Sequence, residues 1–324
     1  MRAGRLVARG RIEVGRFPAP APEPGDVLVR SRVAAICGSD LHLAFGTWGS
    51  AEWPLPPGVP GHEGVGEVVE SRSPLHRPGD LVLTTPVPSQ ARGFADLMAV
   101  PGDQVVPLPG DVDVVTMLMA QQLGTVVFAL RRFWPGPPGE TATVIGAGTA
   151  GLHFTQLLKR AGFGRVVVAD LFPHRLEAAR AAGADVTVLA PAESVVDATL
   201  DLTGGRGAEL VVEAAGHDAT RAQALRAVAS RGRVGLFGLP EQQGDMPFPY
   251  AELFRRAPTI EVSVGAQDEP GLASFREAVR AIAAGEVEVS RLVTHRFGIE
   301  DLAEAFALAH ERADGAIKVA ITFD

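Results

Sequence analysis

The sequence has 324 residues, of which 46% are hydrophobic and 21% are charged, and its formal net charge at pH 7 is -8. This length is sufficient for two domains, each with its own core. The acidic balance argues against nucleic acid and anionic membranes as partners. An uninterrupted apolar stretch of roughly 20 residues, which a membrane span needs, is absent from the sequence. We therefore expect a globular protein that binds neither nucleic acid nor membranes.

The chain has one cysteine, Cys37. An intrachain disulfide is therefore impossible, which fits a reducing compartment. A structural zinc site built from several cysteines of one chain is impossible for the same reason. The first residues also lack the apolar stretch of an export signal. We expect a cytoplasmic protein.

The first third of the chain predicts β-strands joined by tight turns. Residues 26–33 alternate between apolar and other side chains, and residues 64–70 combine β-branched residues with glycine. Clusters of proline and glycine punctuate these segments, as the turns of a barrel-like β domain require. The apolar period then becomes helical over 114–130.

Two segments of this β-rich third carry side chains that bind metals. Cys37 begins the run Cys-Gly-Ser-Asp-Leu-His, and His62 and Glu63 stand together further along the chain. A thiolate, an imidazole and a carboxylate form the ligand set of open, catalytic zinc sites. We predict one catalytic zinc ion held by Cys37, His62 and Glu63, in which Glu63 is either a direct ligand or a group that exchanges with water.

The neighbours of the cysteine predict how a proton leaves such a site. Ser39 is placed to hydrogen-bond a substrate hydroxyl, and His42 is placed to carry the released proton towards solvent. Asp40 either accepts the second ring N–H of His62, which fixes the tautomer of that ring, or only caps a turn. The loop between the two segments contains two tryptophans, Trp48 and Trp53. They either line a substrate pocket or pack in the core.

From residue 141 onwards, strands and helices alternate. This alternation predicts a doubly wound parallel sheet of the Rossmann type with crossover helices. A later helix and a final apolar strand are expected to fold back onto the first domain. The predicted strands are 141–145, 165–170, 185–189, 210–213, 233–238, 259–264 and 316–323, and the predicted helices are 150–161, 173–182 and 272–284.

A glycine-rich turn follows the first of these strands. Gly146 permits a tight turn, Gly148 lets the backbone approach a pyrophosphate, and Gly151 lets the next helix pack closely on the strand. The helix begins beside Thr149 and Ala150, so its free N–H groups and the positive end of its dipole would hold the phosphates. The turn predicts a dinucleotide site.

Two charged residues bear on which dinucleotide is bound. Asp170 ends the second strand of the alternating region, where a carboxylate would hold both hydroxyls of the adenosine ribose and repel a 2′-phosphate. This position favours NAD over NADP. Arg175 lies a few residues later, where it would meet a phosphate, so NADP stays open.

A metal that stabilises an alkoxide, together with a cofactor that accepts a hydride, predicts an alcohol dehydrogenase. The substrate would be a small secondary alcohol or the corresponding ketone. One alternative is a zinc-free reductase of an enone or quinone on the same fold. A second alternative is a nucleotide-binding protein without catalytic activity.

Motifs along nearly the whole chain resemble the zinc-dependent, medium-chain alcohol dehydrogenases, especially their polyol and aminocyclitol branches. The resemblance is carried by the metal segments and the glycine turn with Asp170, and by further short motifs. Those motifs are Pro-Gly-Asp-Val-Leu-Val at 24–29, Pro-Gly-Asp at 78–80, Thr-Gly-Gly-Arg-Gly at 203–207 and Gly-Arg-Val at 232–234.

The resemblance implies a Rossmann domain, residues 123–265, inserted into a β-rich GroES-like catalytic domain formed by residues 1–122 and 266–324. It also implies an active site in the cleft between the domains, with Cys37, His62 and Glu63 on the zinc side. In this family the Rossmann sheets of two subunits commonly join edge to edge. We therefore expect a homodimer paired through the strand 259–264.

The sequence departs from the family pattern at two places. The four-cysteine lobe that usually follows the Pro-Gly-Asp motif is absent, and its structural zinc with it. The segment before the Rossmann domain carries Gln121 where relatives often place a residue that binds or approaches the metal. Because a neutral amide is a poor zinc ligand, the predicted zinc site is Cys37, His62 and Glu63 with water.

Overall fold

The computed structural model describes residues 1–46, 52–241 and 244–323, so Trp48 lies outside the described residues. The chain divides into two compact units, one formed by Met1–Gly124 with Ala266–Asp324 and the other by Thr125–Gly265. The first unit is mainly β-structure, and the second is a parallel sheet with helices. This is the predicted fold class, an α/β Rossmann unit inserted in the sequence of a β-rich GroES-like unit.

The N-terminal part of the first unit contains seven strands and one α-helix among its described residues. They are β1 (Arg2–Ala8), β2 (Arg11–Arg16), β3 (Asp26–Ala35), α1 (Gly38–Phe45), β4 (Glu63–Ser71), β5 (Leu81–Thr84), β6 (Leu97–Pro101) and β7 (Val105–Pro107). Residues 85–96, which include the short 3-10 turn Pro88–Gln90, connect β5 to β6 at the place where relatives carry the additional lobe.

Helices and strands then alternate through the second unit, as the sequence predicts. Helix α2 (Val114–Phe133) begins in the first unit and continues into the second. The elements that follow are β8 (Thr141–Ile145), α3 (Thr149–Ala161), β9 (Arg165–Asp170), α4 (Pro173–Ala181), β10 (Val186–Leu189), α5 (Val195–Leu202), β11 (Ala208–Glu213), α6 (Asp218–Ala227), β12 (Val228–Leu236), α7 (Tyr250–Arg256) and β13 (Thr259–Val262). The chain returns to the first unit with α8 (Ala273–Ala283), β14 (Val293–Gly298), α9 (Leu302–Glu311) and β15 (Lys318–Thr322).

The seven-stranded sheet of the first unit pairs strands from the N-terminal and C-terminal parts of the chain. Its strand order is β14-β15-β3-β4-β5-β7, and β6 also pairs with β3. The last strand, β15, runs antiparallel to β3, with Ala320 opposite Ala35. On the other side of β3, β4 places Glu63 opposite the same Ala35. Residues that follow β3, begin β4 and begin β15 therefore meet at one end of this sheet.

The second unit is built on a six-stranded parallel sheet of order β10-β9-β8-β11-β12-β13. The strand order reverses between β8 and β11, which makes the carboxyl ends of these two strands the topological switch point where open α/β sheets bind ligands. Buried valines, leucines and alanines of the strands and of α5 and α6 form its core. Strand β13 is the sheet edge; it ends at Val262, two residues earlier than predicted.

The long helix α2 is the one described helix with the length and apolar composition of a membrane span. However, 61% of its most apolar window is buried inside the structure. Leu118, Leu123 and Val126 are completely covered by neighbouring residues. A core helix passes the same test of length and composition, and burial of this kind is typical of one.

Candidate active site

The predicted metal-binding side chains lie together at one end of the first unit's sheet. One donor atom each from Cys37, His62 and Glu63 lies within 4.8 Å of the others. Cys37 immediately precedes α1, just past the end of β3, while His62 immediately precedes and Glu63 begins β4, which pairs with β3. Strand pairing thus brings the two sequence segments together. A thiolate, an imidazole and a carboxylate at this separation fit the donor chemistry of zinc.

Asp40 connects the cysteine and the histidine of this cluster. Its side chain is 1% exposed, and its Oδ2 accepts the backbone N–H of Cys37 at 2.9 Å. Its Oδ1 lies 3.5 Å from Nδ1 of His62. The two roles that the sequence left as alternatives, capping the turn and facing the imidazole, are therefore combined in one carboxylate. A carboxylate facing one ring nitrogen leaves the other nitrogen for a metal.

The imidazole of His62 lies beside the negatively charged groups of the cluster. Burial by itself lowers the pKa of His62, but the negative charge of Asp40, the hydrogen bond to it and the adjacent Cys37 outweigh that effect. The pKa of His62 is consequently raised well above its ordinary value. The same negative field would attract a cation to the cluster.

A residue that the sequence did not predict, Lys318, stands beside the metal cluster. Its Nζ lies 2.6 Å from Oε2 of Glu63, and the two side chains are 3% and 1% exposed. Oε1 of Glu63 has no hydrogen-bond partner within the described part of the chain. Burial by itself lowers the pKa of Lys318, but the charges of Glu63, Cys37 and Asp40 raise it above its ordinary value. Glu63 is thus paired with a buried ammonium group.

One feature of the sequence indicates that Lys318 has a special environment. Lysine occurs only twice in the chain, and Lys318 interrupts the predicted apolar strand 316–323; in the structure it is the first residue of β15. A charged residue in a strand that is otherwise buried requires a partner of opposite charge. The identity of that partner depends on the pairing of β15 with β3, which the sequence pattern alone does not specify.

Ser39 and His42, the predicted proton-handling residues, lie in α1, the helix that follows Cys37. Both side chains are half-buried. Their spacing of three residues places them next to each other on one face of the helix. Gln121, which the sequence analysis sets aside as a poor zinc ligand, is 2% exposed within α2. Trp53 packs against a core cluster of the first unit, which supports its structural interpretation.

The glycine turn lies at the switch point of the second unit. Gly146 has a φ of 103°, a left-handed conformation that favours glycine, and ends β8. A Cβ on Gly151 would lie 1.8 Å from the carbonyl oxygen of Gly146, so only glycine permits this contact between helix and strand. Gly148 caps α3, which begins at Thr149 and continues through Ala150. The free N–H groups of this helix start form an anion site.

Asp170 lies beside this turn, at the end of β9. Its Oδ2 accepts the N–H of Ala147 at 2.7 Å, and its Oδ1 accepts the N–H of Phe172 at 3.0 Å. The guanidinium carbon of Arg175 lies 5.3 Å from the centre of the Phe172 ring, and a Cβ on Gly148 would lie 4.0 Å from Nη1 of Arg175. The predicted carboxylate and the predicted arginine therefore both border the glycine turn.

Comparison with known proteins places these features in a family. Residues 23–110 match the family model described as the alcohol dehydrogenase GroES-like domain, and residues 150–284 match the model described as zinc-binding dehydrogenase. The first match contains the metal cluster residues Cys37, His62 and Glu63. The second begins within the glycine turn and contains Asp170.

Curated relatives and solved structures match over nearly the whole chain. An alcohol dehydrogenase from Cupriavidus necator is 27% identical over 99% of this chain and 98% of its own length. An L-threonine 3-dehydrogenase from Bacillus subtilis is 28% identical over 93% and 92%. The alcohol dehydrogenase TADH from Thermus sp. ATN1 superposes with a TM-score of 0.88 at 27% identity and covers 100% of both chains. A structure described as a zinc-binding dehydrogenase from Sinorhizobium meliloti, bound to NADP, has a TM-score of 0.87 at 26% identity and covers 99% of both chains.

Proposed function

Because the chain belongs to the zinc-type medium-chain alcohol dehydrogenase family, we propose that it oxidises a secondary alcohol of the polyol, sugar or cyclitol class with reduction of NAD. The protein is an NAD(P)-dependent dehydrogenase that uses a nicotinamide cofactor and zinc. The observation that carries the finer proposal is the donor cluster of Cys37, His62 and Glu63 within 4.8 Å.

Zinc would be held by Cys37 and His62, with Glu63 as the third protein group of the site. When bound, zinc polarises the oxygen of the alcohol or ketone and favours its charged form near neutral pH. Cys37 and Glu63 would supply negative charge to the metal, and Lys318 orients the Glu63 carboxylate through the 2.6 Å ion pair. Asp40 holds the imidazole of His62 in one orientation.

Two residues of α1, Ser39 and His42, would transfer the proton of the substrate hydroxyl. Ser39 would accept that proton through a hydrogen bond, and His42, three residues later on the same helix face, would pass it to solvent. The nicotinamide cofactor, when bound, would supply the redox chemistry by accepting the hydride of the carbinol carbon.

We assign nucleotide binding to Gly146, Gly148, Thr149, Ala150 and Gly151. NAD is proposed over NADP because Asp170 presents a carboxylate beside this turn, which would bond the ribose hydroxyls and repel a 2′-phosphate. Arg175 would contact the ribose or the adenine side of the nucleotide, since its guanidinium group reaches the turn. A cytoplasmic location is proposed with this assignment, from the single cysteine.

A zinc-free reductase on the same fold is not favoured. Such an enzyme needs no thiolate. A zinc-free site would not require donor atoms of Cys37, His62 and Glu63 within 4.8 Å of one another. A protein without catalytic activity likewise needs neither the cluster nor the Ser39 and His42 pair.

The proposal is tested with the purified full-length protein, a panel of polyols, sugar alcohols and cyclitols, and both NAD and NADP. We expect oxidation of at least one secondary alcohol, with NAD preferred, and about one zinc per chain by elemental analysis. Activity that survives complete removal of zinc would establish the reductase alternative. Two tightly held zinc ions per chain would contradict the single-site assignment.

We also propose a homodimer paired through β13. Val262 and Val264 at this sheet edge are 55% and 87% exposed, and Tyr250 and Phe254 of α7 are 65% and 76% exposed. An apolar, unpaired strand edge invites association, and twofold pairing would satisfy its backbone groups and close the assembly. Light scattering at micromolar concentration should give twice the 33.9 kDa mass of the chain. A monomer mass would refute this assembly, and Val262→Lys should produce such a monomer.

A further inference from the structure

A buried glutamate, Glu213, lies at the carboxyl end of β11 and takes no part in the function described above. Its side chain is 0% exposed. Its Oε1 accepts the backbone N–H groups of Ala215 at 2.9 Å and Gly216 at 2.7 Å, and Oγ1 of Thr220 lies 2.8 Å from the same oxygen. One carboxylate oxygen thus holds two consecutive N–H groups of the loop that follows the strand.

This loop, residues 214–216, borders the glycine turn directly. Ala214 donates its N–H to the carbonyl oxygen of Ile145 at 2.8 Å, and Ile145 lies opposite Glu213 in the pairing of β8 with β11. A Cβ on Gly146 would lie 3.0 Å from the backbone nitrogen of Ala215. The loop and the glycine turn are therefore in backbone contact at the switch point of the sheet.

The other side of the loop is enclosed by the turn that follows β12. A Cβ on Gly238 would lie 2.3 Å from the backbone nitrogen of Gly216 and 2.8 Å from Oε2 of Glu213. Phe237 and Gly238 also donate their N–H groups to the backbone carbonyl oxygen of Glu213. Glu213 consequently stands where the chain segments after β8, β11 and β12 meet.

The second carboxylate oxygen of Glu213 is in an unfavourable environment. Oε2 of Glu213 is buried and has no hydrogen-bond partner in the described residues. A buried carboxylate oxygen without a partner is unusual in native structures and calls for an explanation. The two N–H bonds and the Thr220 hydroxyl bond to Oε1 nevertheless fix the position of the loop.

We propose that Glu213 is a positioning residue for the dinucleotide. It holds the loop 214–216 against the glycine turn, so that the crevice between the ends of β8 and β11 has the shape that the bound dinucleotide requires. This inference rests on the proposed function, since it concerns the same nucleotide site. Glu213 acts through the loop and does not itself touch the cofactor.

The test compares four zinc-loaded, full-length proteins: the wild type, Glu213→Ala, Glu213→Gln and Glu209→Ala. Glu209 is the matched control, because it lies at the opposite end of the same strand and accepts the N–H of Thr141 at 2.7 Å, away from the switch point. The readouts are the dissociation constant of NADH, measured by its fluorescence, the melting temperature and the zinc content.

Glu213→Ala should raise the dissociation constant of NADH at least about tenfold, or ~1.4 kcal/mol, with unchanged zinc content. Glu213→Gln should stay within about threefold of the wild type, because the amide oxygen still accepts the loop N–H groups. Glu209→Ala should lower the melting temperature without changing NADH binding. NADH binding by Glu213→Ala within about twofold of the wild type would overturn the inference, as would equal losses in the two alanine variants.

A fallback variant and the behaviour of the wild type complete the test. If Glu213→Ala does not fold, Thr220→Val carries the test, since it removes only the hydroxyl beside Oε1; it should weaken NADH binding about threefold, and unchanged binding would overturn the inference. A wild type that binds neither NADH nor NADPH would overturn the proposed function itself.

Discussion

Nζ of Lys318 lies 2.6 Å from Oε2 of Glu63, and both side chains are almost fully buried, at 3% and 1% exposure. The other lysine of the chain, Lys159, makes a 2.9 Å ion pair with Asp185 in which the side chains are 31% and 37% exposed. The two pairs are chemically alike and differ in their access to water. That difference sets their expected contributions to stability.

Lys318→Met should lower the free energy of unfolding by about 3–5 kcal/mol, because it leaves the Glu63 carboxylate buried without a counter-charge. Lys159→Met should lower it by less than about 1 kcal/mol, because water screens the exposed pair. Urea titrations of the three proteins measure both changes. The double variant Lys318→Met with Glu63→Gln should recover part of the loss. Equal effects of the two lysine substitutions would show that the buried pair has no special role.

Cys37→Ala should abolish both zinc binding and alcohol oxidation, because the cluster loses its thiolate donor. Ser39→Ala, two residues away, should keep one zinc per chain and lower kcat by about 10² or more, because only the proton path is broken. Elemental analysis and steady-state kinetics on the same preparations separate the two effects. A Cys37→Ala protein with near-normal kcat would rule out the zinc mechanism.

Asp170→Asn is expected to relax the preference for NAD. The asparagine oxygen can still accept the N–H of Ala147, as Oδ2 of Asp170 does at 2.7 Å, but the charge that repels a 2′-phosphate is gone. Asp170→Gly loses both functions and should also weaken NAD binding. We expect the NADP to NAD ratio of kcat/KM to rise about tenfold in the asparagine variant, since one charged contact is worth ~1–2 kcal/mol. A wild type with a lower KM for NADP than for NAD would show that the assignment is wrong.

Asp113 should make the stability of the chain depend on pH through the start of α2. Its Oδ2 accepts the N–H of Thr116 at 2.9 Å and the Thr116 hydroxyl at 2.6 Å, and the Thr116 hydroxyl bond is the main cause that lowers the pKa of Asp113 below its ordinary value of 3.8. Because the folded pKa is the lower one, this stabilisation is present above pH 3.8 and is lost as the pH falls through the folded pKa.

Asp113→Ala should therefore cost about 1 kcal/mol at pH 7 and less at pH 3, whereas Asp113→Asn should keep most of the cap at both pH values. Urea unfolding at the two pH values checks this difference. A cost of Asp113→Ala that is the same at pH 7 and pH 3 would contradict the role of the ionised cap.

Local patterns predicted the second unit closely. The strands 141–145 and 165–170 coincide with β8 and β9, and the first nucleotide-site helix begins one residue earlier than predicted, at Thr149. These elements are readable because each is defined by neighbours in sequence: a continuous β-branched run, and glycines whose spacing suits a tight turn. The sequence pattern does not predict the helices α5, α6 and α7 of this unit; α6 in particular has no strong apolar face.

The sequence by itself determined the residue types of the candidate site: a single thiol, the His62-Glu63 pair, the Ser39 and His42 pair, and a glycine turn followed by Asp170. Only the tertiary structure decided which charges meet. Lys318 reaches Glu63 because β15, at the end of the chain, pairs with β3 beside β4, and Glu213 meets the glycine turn because β11 lies next to β8. Strand order in a sheet is set by packing between distant segments, so no local period in the sequence encodes these contacts.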